Sequence, residues 1–326
     1  MPSRAHPYDQ LTPDRVIAAI ESVGFLSDGR LLALNSYENR VYQIGIEASA
    51  PVVAKFYRPG RWSTPAILEE HAFAFELTGA EVPVVPPLIR GDRSLFEHEG
   101  FRFAVFERRG GRWPELATEH DREWMGRFLG RIHATGRRQP FEHRPTLTLE
   151  RFGETPRDWL LESGWIPEHL LAAYESVSSE LLDAIATQLE FTPALLRLHG
   201  DCHPGNILWT EAGPHFVDLD DCLTGPAIQD LWMLLSGSRR EMGEQLGQIL
   251  QGYAQFSDFD YGELRLVEAL RSLRIMHYAG WLAQRYDDPA FPRAFPWVAE
   301  ARYWEQHVLN LREQMAAMEE GPLELS

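Results

Sequence analysis

The chain has 326 residues and, at about 150 residues per domain, is long enough for two domains and a sizeable core. Its 44% apolar, 24% charged and 11% aromatic composition is that of a globular protein and excludes wholesale disorder. With 31 basic against 48 acidic residues the net charge is −17, which repels phosphate, so general binding to nucleic acid or to an anionic membrane is not expected.

The segment from Leu31 to Tyr57 reads as strands, with alternating polar and apolar residues in RVYQIG and a short β-branched run in PVVAKFY. Between them Asn35 to Asn39 forms a polar turn. Ser63 and Pro65 supply N-cap and first-turn signals for a helix over about Ala66 to Leu77. Leu88 to Arg93 and Phe101 to Phe106 read as two further strands. Gly110 to Pro114 is the linker candidate. Beyond it helices are expected over Asp121–Thr135, Pro167–Leu189, Ala227–Tyr253, Tyr261–Arg285 and Trp297–Met318, interrupted by a β-rich interlude from Leu195 to Asp221. Gly321 to Ser326 reads as a frayed tail. The expected class is therefore α+β: a small β-rich N-terminal lobe, residues 1–109, and a larger, mostly helical lobe, residues 110–326.

No apolar run reaches the length of a membrane span, and the N-terminal MPSRAHPYDQLTPD lacks the apolar stretch of a signal peptide. Two cysteines, Cys202 and Cys222, are too few for a disulfide scaffold. A cytoplasmic location is expected.

Of the 31 basic residues only Lys55 is a lysine. Arginine-favouring codon usage could leave one lysine by chance. Alternatively, Lys55 stands where a compact ammonium is required and a planar guanidinium cannot substitute. The interlude decides between them. It reads HGDCHPGNILW and then HFVDLDD, so Asp201 and Asn206 are five apart and Asp218 follows after an apolar run. Asp-x4-Asn is the spacing of a kinase catalytic loop. Asp201 would orient an attacking hydroxyl, Asn206 would offer magnesium a neutral oxygen and Asp218 an ionised one. Lys55 would hold the α- and β-phosphates, itself held by a glutamate of the following helix. Glu70, on the face of Leu77, is preferred to Glu69, which would then be solvated. His199, Cys202 and His203 are too loosely spaced for zinc, and His199 is expected to orient the loop.

HGDCHPGNILW followed by VDLDD resembles the aminoglycoside phosphotransferase-like kinases, which have a bilobal protein-kinase-like fold. The strings SYENRVYQI, AKFYRPGRW, ILEEHAFAFEL and VDLDDCLTGPAIQDLWMLL are more closely similar to the stress response kinase A family, bacterial Ser/Thr protein kinases of about this length. The resemblance implies ATP as co-substrate, Mg2+ as cofactor, a protein acceptor bearing Ser or Thr, autophosphorylation and a monomeric state. It also implies roles. Asp201 is the proton acceptor, Asn206 and Asp218 bind metal, and Ser36 contacts ATP from the turn over the phosphates. Val105 to Glu107 form the adenine hinge, and Asp230 braces the catalytic loop.

Three departures bear on the substrate. The NSYENR turn lacks the kinase glycine pattern. The Arg of H-R-D is replaced by Gly200, so control through an activation loop is not expected. Only seven residues separate Asp218 from Pro226, too few for a long peptide-docking segment. A small-molecule kinase acting on choline, homoserine or an aminoglycoside is therefore the alternative. Asp220, Asp221 and Asp230 read as extra negative charge that would suit a cationic amine or a basic peptide.

Overall fold

The computed structural model describes residues 6–325. The Thr12 hydroxyl accepts the Arg15 amide and Pro13 fills the first turn, so a helix, α1 (Pro13–Ser22), begins there and buries Val16, Ala19 and Ile20. It is absent from the sequence expectation, although Thr12-Pro13 carries the same signal as Ser63-Thr64-Pro65.

Strands β1 (Ser27–Ala33), β2 (Arg40–Ile46), β3 (Val52–Phe56), β4 (Phe96–His98) and β5 (Phe101–Glu107) form one antiparallel sheet in the order β1-β2-β3-β5-β4. The strand expected over Leu88–Arg93 does not form. Leu88 makes a single hydrogen bond to β5, and the chain then turns back on itself: Arg90 and Arg93 exchange backbone hydrogen bonds at 2.9 and 3.1 Å, with Gly91 and Asp92 between them at positive φ. β5 is interior, between β3 and β4. Helix α2 (Thr64–Gly79) starts where the Ser63 hydroxyl accepts the Ala66 amide. Its Phe73, Ala74 and Leu77 pack with Met125 and Leu129 of the helical part, so this helix shares a core with the second half of the chain.

The helical part comprises α3 (Glu119–Gly136), α4 (Thr155–Ser163), α5 (Glu168–Leu189), α6 (Ile228–Trp232), α7 (Arg239–Tyr253), α8 (Val267–Gln284), α9 (Ala290–Ala294) and α10 (Ala301–Glu319). A single π-helical turn, Glu150–Glu154, leads into α4. The interlude holds two short antiparallel pairs: β6 (Leu196–Leu198) with β9 (Leu223–Gly225), and β7 (Ile207–Thr210) with β8 (Gly213–Phe216). The long helix expected over Ala227–Tyr253 is broken between α6 and α7. Ser238 restarts it with a capping box closed by Glu241, and that local cap competes with continuation through Gly237. The expected frayed tail is instead docked through residue 325. Leu323 is buried in the core beside Met242 and Leu246, and Arg239 donates to the Gly321 carbonyl at 2.9 Å. Among the described residues no helix is long and apolar enough to cross a membrane.

Candidate active site

Lys55 lies on β3, opposite Ala104 of β5, and is buried. Its ammonium meets three carboxylates: Glu70 Oε1 at 3.2 Å, Asp218 Oδ1 at 3.0 Å and Asp220 Oδ1 at 3.0 Å. Burial alone would favour the neutral amine. Asp218, Asp220 and Glu70 outweigh it and hold the amine well above the ordinary lysine range. Burial pushes the Glu70 carboxyl up, against Lys55. Asp220 is held low despite burial by Lys55 and Arg61.

Glu69 is half-buried and engaged with the backbone, where the sequence expectation has it simply solvated. Its carboxylate accepts the backbone amides of Glu142 at 2.6 Å and of His143 and Arg144 at 2.8 Å, which ties α2 to the loop after α3. Because Glu70 is the next residue on that helix, the same tie holds it against Lys55. In the Lys55→Arg variant the charge is kept but a longer, planar group must enter a buried three-carboxylate nest. We expect kcat/KM to fall on the order of tenfold to a hundredfold, since small misplacements are costly in such sites. Steady-state kinetics at varied ATP would check this. Full retention would return the lone lysine to codon usage.

The loop between β6 and β7 carries Asp201 and Asn206. Asp201 Oδ1 is paired with the Arg274 guanidinium of α8, and Oδ2 lies 3.4 Å from His203 Nε2. Burial would raise this carboxyl, but His203 and Arg274 hold it well below the usual carboxylate range. The Asn206 amide donates to the Asp201 carbonyl at 3.0 Å and to Asp201 Oδ2 at 3.3 Å. Its Oδ1 is therefore the end left for a ligand. Asp218 sits in the left-handed region, φ 59°, with half of its side chain exposed, and the neighbouring Val217 amide donates to the Asn206 carbonyl at 3.0 Å. Among the described residues no cluster of three or more His, Cys, Asp or Glu could hold a metal. Asn206 and Asp218 supply two hard oxygens, and this fits Mg2+, which keeps several waters and takes further oxygens from phosphate.

The loop is braced from beneath. Asp230 accepts the amides of His199 at 2.8 Å and Gly200 at 2.9 Å, and lies 3.2 Å from His133 Nε2. His199 Nε2 lies 3.0 Å from the Val217 carbonyl, joining the two acidic loops. Gly200 has φ 85°, and a Cβ there would overlap the Asp221 carbonyl oxygen. The position of the kinase arginine is thus closed to any side chain. Both cysteines are buried. Burial raises both thiols, with Asp230 and Asp201 adding at Cys202, and Cys222 reaches about 12 even against Arg144.

In the expected hinge, the Val105 carbonyl accepts the Leu88 amide at 2.6 Å. Glu107, the last residue of β5, stands at the open end of the strand. Ser36 is half-buried in the turn between β1 and β2. Its neighbours fasten that turn to the helical part: Tyr37 packs on Phe295 with ring centroids 4.7 Å apart, and Glu38 accepts Trp281 Nε1 at 2.6 Å. Glu38 also pairs with Arg58 at 2.9 Å and Arg285 at 3.1 Å, while Asp288 pairs with Arg40 at 2.6 Å and Arg58 at 2.7 Å.

The sequence reading did not single out Arg61, Arg144 or Arg274. Arg61 grips both Asp220 and Asp221. Arg144 donates to the Asp220 carbonyl and, at 2.9 Å, to the Cys222 carbonyl. No local pattern marks such residues, because the partners just named lie 73 to 160 positions away. The extra acidic charge expected from Asp220, Asp221 and Asp230 is thus compensated within the protein.

The model of the phosphotransferase enzyme family matches residues 30–267. The chain belongs to this family. Within it, the chain is 45% identical over 326 residues to stress response kinase A of Escherichia coli K12, covering 100% of this chain and 99% of the relative. It is 44% identical over the same 326 residues to the serine/threonine protein kinase RdoA of Salmonella typhimurium, again with 100% and 99% coverage. Membership of the stress response kinase A family follows, and with it kinase activity. Among solved structures, an amicoumacin kinase in complex with AMP-PNP, Ca2+ and Ami has a TM-score of 0.74 at 20% identity, covering 95% of each chain. The fold is that of these kinases.

Proposed function

We propose that the protein is an ATP- and Mg2+-dependent kinase that phosphorylates Ser or Thr hydroxyls of proteins, itself included. The observation that carries this reading is the convergence of Asp218 and Asp220 on Lys55, each 3.0 Å from its ammonium, with Asn206 joined through Val217 to the same loop. In this reading residues 1–109 bind the nucleotide and residues 110–326 supply the catalytic loop and the acceptor site. Lys55, positioned by Glu70, holds the α- and β-phosphates. Ser36 and its turn cover them, and Glu107 marks the adenine end. Asn206 and Asp218 hold Mg2+, which when bound supplies charge screening on the β- and γ-phosphates.

Asp201 receives and orients the acceptor hydroxyl. The hydroxyl oxygen forms a bond to the γ-phosphorus, the bond from γ-phosphorus to the bridging oxygen breaks, and ADP departs with that electron pair. The hydroxyl proton is held at the Asp201 carboxylate. A carboxylate this acidic serves mainly to orient, which suits a transition state with little bond formation to the nucleophile. Asp230 and His199 keep the loop in place.

The acceptor class is supported by the likeness to the Salmonella relative, a serine/threonine protein kinase. The likeness to the amicoumacin kinase favours the second reading, a small-molecule kinase. Initial rates of ADP release with serine peptides and with amino alcohols separate the two. The proposal expects peptides to stimulate release, and stimulation by amino alcohols alone would replace it with the second reading.

The metal assignment makes its own prediction. Asp218→Ala should raise the Mg2+ concentration needed for half-maximal rate more than Asn206→Ala, because a charged ligand is lost in one case and a neutral one in the other. Unchanged midpoints in both magnesium titrations would overturn the assignment.

A further inference from the structure

Near Asp201 the walls of the cleft are cationic. Arg274 of α8 pairs with Asp201 itself. One turn on, His277 packs on Phe152 of the π-helical turn, with ring centroids 4.8 Å apart. Burial and the surrounding Arg151, Arg274 and Arg61 push this imidazole down to about 4. Arg151 belongs to the same π-helical turn and is exposed. Its guanidinium carbon lies 5.8 Å from the centre of the Trp62 ring, against which Arg144 also packs at 4.1 Å and Arg61 at 5.0 Å.

The counter-charge is what distinguishes this cluster. Arginines crowd elsewhere in the chain, but there each group shares a carboxylate: Arg40 and Arg58 share Asp288, Arg58 and Arg285 share Glu38, and Arg239 and Arg271 share Glu268. Among the described residues no carboxylate lies within ion-pair distance of Arg151. The one it faces, Asp221, is held by Arg61. The one facing Arg274 is Asp201, which must release its Oδ1 to meet a hydroxyl. Arg151 is thus left beside other arginines without an anion of its own, which is unfavourable, and an arriving anion offsets that cost. Conversely, Asp220, Asp221 and Asp230 are committed to Lys55, Arg61 and the loop amides, so none of these three is left to receive an ammonium group.

We propose that Arg151 and Arg274 form the acceptor subsite and that it takes a hydroxyl flanked by negative charge, a serine or threonine in an acidic segment. The proposal rests on the kinase reading above. A substrate carboxylate that draws Arg274 away frees Asp201 Oδ1 for the hydroxyl, so acceptor binding and readiness of the catalytic carboxylate are coupled. A small hydroxy acid offers the same chemistry.

The test compares phosphorylation of matched serine peptides with acidic or basic flanks, a hydroxy acid and an amino alcohol, using wild type and Arg151→Glu. The expected result is kcat/KM about tenfold higher for the acidic than for the basic peptide, with the ratio lost or inverted in Arg151→Glu and restored in Arg151→Lys. A basic peptide preferred by the wild type, or a ratio unmoved in Arg151→Glu, would overturn the subsite while leaving the protein-kinase reading intact. Phosphorylation of the hydroxy acid but of no peptide would keep the subsite and remove the protein acceptor, and turnover of the amino alcohol alone would remove both. If no acceptor is turned over, calorimetric binding of the acidic peptide with alanine in place of serine decides. Binding that is tighter than for its basic counterpart and weakened in Arg151→Glu supports the subsite, and its absence overturns it. Thermal melting of Arg151→Glu beside wild type verifies the fold.

Discussion

Replacing Asp201 by alanine should lower kcat by about three to four orders of magnitude, the upper range for loss of a group that positions and accepts a proton. ATP affinity should stay within a few-fold. The nucleotide-facing contacts do not depend on this carboxylate: Lys55 is held by Glu70, Asp218 and Asp220. The loop should keep its shape, because Asn206 also donates to the Asp201 carbonyl and Asp230 holds the two preceding amides. Arg274 loses its partner but is partly exposed, so no fully buried unpaired charge results. Equilibrium ATP binding and single-turnover rates measured on the same preparation check both halves. A loss of ATP affinity comparable to the loss of rate would show that Asp201 faces the nucleotide.

Gly200→Ala should be nearly as damaging for a different reason. The residue is left-handed, φ 85°, and an added Cβ would overlap the Asp221 carbonyl. That carbonyl cannot easily retreat, because Arg144 fixes the carbonyls on either side of it, at Asp220 and Cys222. Either the catalytic loop or the Asp218–Asp221 turn must shift. Left-handed strain and overlap together should cost about 2 to 4 kcal/mol. A melting temperature lower by several degrees and a kcat lower by about a hundredfold are expected. An alanine variant with wild-type melting and rate would contradict this account of the loop. Restoring the kinase arginine at this position should be worse still, so the missing arginine of H-R-D is a steric consequence of how closely the two acidic loops approach.

What could be read from the sequence was local. Lys55 on a strand, a helix with Glu70, and Asp201, Asn206 and Asp218 at their spacings each announce themselves within a short string. The structure brings Lys55, Glu70 and Asp218 into direct contact. The core strands and most helices follow from alternation and helical spacing. The failures also have local causes. A tight turn at Gly91 and Asp92 breaks up Leu88–Arg93, and the Ser238 cap overrides the apolar continuity of Ala227–Tyr253. The docked tail escaped notice because GPLEL has no period, and only the pocket receiving Leu323 makes it ordered. The arginine contacts were invisible for the same reason. Arg61, Arg144 and Arg274 find carboxylates or carbonyls far along the chain, where neither spacing nor propensity carries information. Acidic residues counted in sequence suit a cationic amine or a basic peptide, whereas their pairing in space supports the proposed anionic acceptor.

The central claim is that the Asp201 constellation transfers the γ-phosphoryl group of ATP to protein hydroxyls. Its most direct test is γ-labelled ATP with Mg2+, purified protein and an acidic protein acceptor, with wild type and Asp201→Ala run side by side, followed by phosphoamino-acid analysis. The account predicts label on serine or threonine with wild type and almost none with the variant. Label that remains with the variant, or that appears only on small alcohols, would contradict it.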